Sequence, residues 1–153
     1  MQINKDLREF IELLNANKVE YLVVGAFAVA WYGYPRSTAD IDLFVRAEAA
    51  NAERILQTLG EFGFGGIGLA PEDLSKPDQV IQLGVKPNRI DLITSVASVT
   101  FEEAWQSRVA ASIAGVPVPV LALDLLLRNK EAVARPQDLA DAHNLRKRLK
   151  RKP

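Results

Sequence analysis

The chain has 153 residues, formally neutral with 19 basic and 19 acidic side chains, and its 48% hydrophobic and 25% charged content is ordinary for a soluble globular protein. That length is most simply one domain spanning 1–153, able to bury roughly 70% of its unfolded surface. With no cysteine and a single histidine, a disulfide framework and a thiolate metal site are excluded, and a zinc site or a histidine-based triad lacks its residues.

The opening MQINKDLREF carries charge where an export signal needs an apolar core, and no apolar run approaches the ~20 residues of a membrane span. The expectation is a cytoplasmic protein with no membrane partner. Neutrality hides an uneven distribution: six of the 19 basic residues fall in a basic C-terminal tail, 146–153, leaving 13 basic against 19 acidic residues before it. Such a tail is either a solvated helix end complementing the helix dipole or a contact for RNA or another polyanion.

In chain order, Leu7, Phe10, Ile11, Leu13 and Leu14 recur at helical spacing between Asn4, a natural N-cap, and Asn17. Glu20 to Val24 reads as a buried strand and Ala26 to Tyr32 as about two tight helical turns, broken by Gly33-Tyr34-Pro35. Asp40 to Val45 predicts a second strand, with Asp40, Asp42 and Phe44 on one face and Ile41, Leu43 and Val45 on the other. Glu48 to Phe62 is helical, and Gly63 to Asp78 reads mainly as loop with a short strand at Ile67 to Leu69. Two strands, Gln79 to Val85 and Arg89 to Ser95, follow around a Lys86-Pro87-Asn88 turn.

Phe101 to Gln106 predicts a short helix. Arg108 to Ile113 and Val116 to Val120 predict a hairpin around Ala114-Gly115, with Pro117 and Pro119 expected to keep the second strand at a sheet edge. Leu121 to Ala134 is helical, with Leu123, Leu126 and Leu127 inward, and Pro136 opens a last helix running towards Arg148. Strands and helices alternate without a strict βαβ rhythm. The fold class is therefore α/β (α+β), a mixed, mostly antiparallel sheet flanked by helices.

Asp40 and Asp42 are the sharpest chemical signal. Two carboxylates on one strand face repel unless a cation sits between them, and magnesium, which takes carboxylates together with phosphate oxygens, is the natural partner. The plainer alternative is a strand end where both face water. Asp91, inside the apolar run Arg89-Ile90-Asp91-Leu92-Ile93, shifts that balance, since a lone carboxylate there is costly without a counter-ion. If that strand lies beside Asp40 to Val45, three carboxylates converge in a two-metal arrangement; the alternative is a salt bridge from Asp91 to Arg89.

Gly25-Ala26, between strand and helix, would let backbone N–H groups approach a triphosphate, although tight turns use glycine anyway. Arg36 and Thr38 could touch phosphate or hydroxyl groups, or Arg36 could simply neutralise Asp40 and Asp42. Lys130 and Arg135 could reach a phosphate or lie on a solvated face. His143 reads as a helix-surface or packing residue, and Trp31, Tyr32 and Tyr34 as core or rim packing in preference to a base-stacking wall.

Taken together, Val24-Gly25-Ala26, Asp40-Ile41-Asp42 and Asp91 resemble the nucleotidyltransferase superfamily with the DNA polymerase beta-like fold. The strings GAFAVAWYGYPRSTADIDLFV, RIDLITSV, FEEAW and NKEAVARPQDLADAHNL are similar to a small bacterial stand-alone subgroup related to abortive-infection toxins and minimal nucleotidyltransferases. The resemblance runs from Tyr21 to Leu145. It implies a nucleotidyltransferase moving a nucleoside monophosphate from a nucleoside triphosphate, ATP included, to an acceptor hydroxyl on tRNA or other RNA, a protein or a small molecule.

The same resemblance implies Asp40, Asp42 and Asp91 as ligands of Mg2+ (or Mn2+), with Asp91 also near the attacking hydroxyl. Gly25 and Ala26 would hold the nucleotide, supported by Arg36, Thr38 and Lys130; Lys130 with Arg135 and Asp138 matches a segment of the toxin-like relatives. It further implies a toxin-like half of a toxin–antitoxin pair, with an antitoxin partner, or else a catalytically silent, antitoxin-like domain that only binds nucleotide or partner. Two departures stand out: Gly-Ala replaces the usual Gly-Gly or Gly-Ser, losing a hydroxyl that could touch phosphate, and no large second domain selects an acceptor.

Overall fold

A computed structural model describes residues 5–34, 40–64, 68–84 and 89–151. The first helix, α1 (Lys5–Ala16), buries Leu7, Phe10, Ile11 and Leu14, a stripe one helix face wide. Fully burying a leucine or phenylalanine contributes roughly 1.5–3 kcal/mol, so this stripe anchors the helix to the sheet more firmly than its propensity does. Asn17 closes it, its side chain donating to Thr58 and Glu61 on α3 (Ala49–Glu61). Asn15 accepts from Tyr21 on β1 (Tyr21–Val24) and donates to the Pro117 carbonyl, tying the helix end to two strands.

Among the described residues six strands form one mixed sheet in the order β3-β4-β2-β1-β6-β5. They are β1 (Tyr21–Val24), β2 (Asp40–Val45), β3 (Val80–Leu83), β4 (Arg89–Ile93), β5 (Val109–Ile113) and β6 (Val116–Val120). β1–β2, β3–β4 and β5–β6 run antiparallel, and β2–β4 and β1–β6 run parallel. The mixed sheet is the one the irregular rhythm of elements predicts. β1 is buried along its whole length, and β2 alternates at its start as read from sequence, with Ile41 and Leu43 buried while Asp40 and Asp42 are half-buried.

The remaining helices are α2 (Gly25–Trp31), α4 (Phe101–Gln106), α5 (Leu123–Val133) and α6 (Pro136–Arg151). Thr100 caps α4 reciprocally with Glu103, each side chain taking the other's backbone N–H. A 3₁₀ turn, Pro71–Leu74, lies inside the stretch expected to be loop, and fully buried Leu74 is what holds it in place. The expected short strand at Ile67 to Leu69 is absent at Gly68 and Leu69, while Ile67, like Asn4 and the Lys86-Pro87-Asn88 turn, lies outside the described residues.

The edge position expected for β6 is wrong: β6 lies between β1 and β5, and β5 is the edge. Ala114 and Gly115 both have positive φ (51° and 82°), as a two-residue hairpin turn requires, and Ile113 faces Val116 across it. In the alternating antiparallel ladder this puts Pro117 and Pro119 at the positions that do not bond to β5. Their missing N–H groups face β1, which meets β6 only at Val23–Val120, where Leu121 donates to the Val23 carbonyl. The prolines shorten that seam without moving the strand to the edge.

Candidate active site

The site is built at the end of the sheet where β1 finishes and β2 and β4 begin. The register pairs Val24 with Asp42, Asp42 with Asp91 and Asp40 with Arg89. Neighbouring strands lie about 4.8 Å apart, so Asp42 and Asp91 stand side by side on one face. At Gly25 the chain leaves β1 with φ of 68°, and a Cβ there would collide with Asp42 Oδ2. Both the backbone conformation and the space therefore require glycine, and its bare face leaves the Asp42 carboxylate open to the cleft.

The electrostatics follow from this crowding. The Asp42 carboxyl is pushed up to about 6, by burial first, then by the charge of Asp91 and a hydrogen bond shared with it, then by Asp40, with Lys130 pulling the other way. Arg89 answers the other two carboxylates. Its Nε donates to Asp91 Oδ1 at 2.9 Å, and Nη2 reaches Asp91 Oδ2 at 3.2 Å and Asp40 Oδ2 at 3.0 Å. The Arg89–Asp91 salt bridge weighed as the alternative for Asp91 is thus present, and it extends to Asp40.

Lys130 departs from the solvated-face role open to it in the sequence. It is buried, 6% exposed, and its ammonium lies 3.2 Å from both Asp138 Oδ1 and Asp141 Oδ2. Ala134 ends α5 in the left-handed conformation (φ 59°), Pro136 starts α6, and the corner so formed folds the two aspartates back over the lysine. Arg135 completes the group, Nε donating to Asp138 Oδ2 at 2.6 Å while its own side chain stays largely exposed. Burial works to raise the Asp138 carboxyl, but hydrogen bonds from Arg135 and Lys130 outweigh it and hold it below the ordinary carboxylate range.

Gly25, Ala26, Asp40, Asp42, Asp91 and Lys130 line one cleft of about 440 Å³, with Arg135 and Asp138 on its wall. Two larger clefts, near 680 and 690 Å³, lie elsewhere and contain none of the three aspartates, so chemistry and not volume marks the site. Arg36 and Thr38 lie outside the described residues. His143 is exposed on α6, Trp31 is 43% exposed, and the Tyr32 hydroxyl donates to the Leu121 carbonyl, so none of these reaches the aspartates.

Sequence reasoning missed Asp141 and the burial of Lys130. A signal was present: Asp138, Asp141, Ala142 and Leu145 recur at i, i+3, i+4 and i+7, which places two carboxylates on the buried stripe of α6. The basic tail continues α6 to Arg151, with Arg146 paired to Glu131 at 2.7 Å. Among the described residues no three carboxylates or imidazoles are gathered closely enough to hold a metal ion as they stand, and Arg89 lies between two of the candidates.

No protein-family model matches the sequence, and no curated protein matches it by sequence. Solved structures do match it in fold. The lincosamide antibiotic adenylyltransferase LnuA, lincomycin-bound, is 17% identical with a TM-score of 0.60, the match covering 94% of this chain and 96% of that one. The antibiotic-resistance factor ANT(2'')-Ia is 14% identical with a TM-score of 0.57, covering 92% and 80%. A second structure of ANT(2'')-Ia, in complex with adenylyl-2''-tobramycin, is 15% identical with a TM-score of 0.55, covering 91% and 84%. The chain has the nucleotidyltransferase fold.

Proposed function

We propose that this chain is a magnesium-dependent nucleotidyltransferase that moves a nucleoside monophosphate from a nucleoside triphosphate to an acceptor hydroxyl. The observation that carries the reading is Asp42 beside Asp91 in register on parallel strands, opened to a cleft by the missing side chain of Gly25. The donor set suits the metal: three carboxylates are hard oxygen ligands, the kind Mg2+ takes and Mn2+ accepts in its place. Asp40, Asp42 and Asp91 would hold it. When bound, it supplies neutralisation of the phosphate charge, the main catalytic term in phosphoryl-type transfer.

The chain's own residues supply positioning. Gly25 and Ala26 let the backbone approach the phosphate chain, and Lys130, held by Asp138 and Asp141, places a fixed positive charge on the same cleft. Asp91, once released by Arg89, would accept the proton of an acceptor hydroxyl. Arg36 and Thr38 would support the phosphates.

LnuA is named as an adenylyltransferase of an antibiotic, ANT(2'')-Ia is seen with an adenylylated one, and LnuA matches this chain over nearly its whole length. These likenesses favour adenylyl transfer from ATP to a small hydroxyl-bearing molecule over the RNA, protein and toxin–antitoxin readings. The test is incubation with α-labelled ATP, magnesium and three separate acceptor pools: hydroxylated small molecules, total RNA and protein. Label in the first pool supports the reading, and label in RNA or protein alone moves the acceptor there.

One observation favours a second reading, a catalytically silent domain that binds a nucleotide or an antitoxin-like partner: Arg89 already neutralises two of the three aspartates. Metal-dependent ATP binding without transfer to any pool would establish that reading instead.

A further inference from the structure

Arg89 is in contact with the two aspartates that flank Asp42. One planar guanidinium reaches Asp91 through Nε and Nη2 at 2.9 and 3.2 Å, and Asp40 through Nη2 at 3.0 Å. The parallel register brings these groups within reach: Arg89 faces Asp40 across the strands and shares a face with Asp91 two positions on. A guanidinium has the rigid fork to join two carboxylates, which a lysine ammonium lacks. Its side chain is about a quarter exposed, at 23%, so one side borders solvent. As they stand, the aspartates are arranged around this cation and not around a common metal point.

We propose, resting on the metal-dependent reading above, that Arg89 is the resident counter-cation of the aspartate triad and competes with the divalent metal for Asp40 and Asp91. A metal ion can draw those two carboxylates together with Asp42 only as the guanidinium leaves them. Once released, Arg89 stands on the rim of the same cleft with donors suited to phosphate oxygens. Metal and nucleotide therefore favour each other: the nucleotide gives the displaced arginine a new partner, and the metal frees the arginine to take it. A guard of this kind keeps Asp40 and Asp91 paired until both ligands arrive.

The test is Mn2+ binding, measured by electron paramagnetic resonance and calorimetry, with and without a non-hydrolysable ATP analogue. Wild type is compared with Arg89→Gln, Arg89→Lys and, as a control, Asp42→Asn. Without nucleotide, Arg89→Gln is expected to bind Mn2+ about 10-fold or more tightly than wild type, because charge-assisted hydrogen bonds no longer compete. Arg89→Lys, which keeps the charge without the fork, is expected between the two. The analogue is expected to tighten Mn2+ binding strongly in wild type and only weakly in Arg89→Gln.

Equal or weaker Mn2+ binding in Arg89→Gln, with binding still lost in Asp42→Asn, would overturn the competition and leave the metal site standing. If neither wild type nor Arg89→Gln binds Mn2+, the metal reading and the competition both fall. Should Arg89→Gln not fold, the wild-type protein still decides: the Arg89 Nε–H resonance, identified by its absence in Arg89→Lys, must move on titration with Mg2+. A resonance unchanged at saturating Mg2+ overturns the proposal.

Discussion

Two clusters of cations and aspartates face the same cleft, and they are balanced differently. At the α5–α6 corner Lys130 and Arg135 serve Asp138 and Asp141, two cations for two buried carboxylates. At the sheet end, among the described residues, Arg89 pairs with Asp40 and Asp91, while Asp42 is crowded by both of them with Lys130 only partly offsetting the effect. The first arrangement answers its own burial cost and behaves as structure. The second leaves Asp42 with its carboxyl raised by burial and crowding, to about 6.

The largest effect should come from unbalancing the balanced cluster. Lys130→Met leaves Asp138 and Asp141, 1% and 3% exposed, without their shared cation. Breaking a buried pair from one side costs about 3–5 kcal/mol, so a chemical denaturation series should show a loss of that order. A loss under 1 kcal/mol would mean that the corner tolerates charge and that the contrast between the clusters is false. Gly25→Ala comes next. Its left-handed backbone alone costs roughly 1–2 kcal/mol for a residue with a Cβ, and the methyl must also displace Asp42. The melting temperature should fall, and metal-dependent nucleotide binding should fall with it.

Relieving the unbalanced cluster should work the other way. Asp42 titrates in the native state near 6, above its ordinary value of 3.8, so the native state holds its proton more tightly than the unfolded chain does. Stability is then lost as pH rises from about 4 to 6, and the penalty is complete above that window. In metal-free buffer Asp42→Asn should therefore be more stable than wild type by about 1–3 kcal/mol at pH 7.5. The gain should shrink as pH falls through this window and vanish only below about pH 3, where the unfolded chain also holds the proton. A gain independent of pH would remove charge crowding as its cause. At the small end, Arg146→Ala breaks an exposed pair with Glu131 and should change stability by less than about 1 kcal/mol.

The unbalanced cluster was largely legible in the sequence and the balanced one was not, for a physical reason. Asp40, Asp42 and Asp91 sit in short apolar runs where a carboxylate is conspicuous, and strand alternation alone puts the first two on one face. Gly25 was readable as a turn, but the collision that makes it necessary depends on Asp42 across the sheet. The reach of Arg89 to Asp40 needed the parallel register of β2 and β4, which joins segments 49 positions apart. Lys130 looked like a solvated residue because its partners lie around a helix corner, and only the fold of α6 onto α5 turns its charge inward. The prolines of β6 misled in the same way, since local chemistry records a missing donor but not which neighbour it faces.

Calorimetric titration of ATP with and without Mg2+ into wild type and Asp42→Asn decides whether Asp42 belongs to a metal–nucleotide site. Wild-type protein should bind ATP with a strong dependence on Mg2+, and Asp42→Asn should lose that dependence while remaining folded. If the variant bound Mg2+ and ATP as wild type does, the account of this site would be wrong.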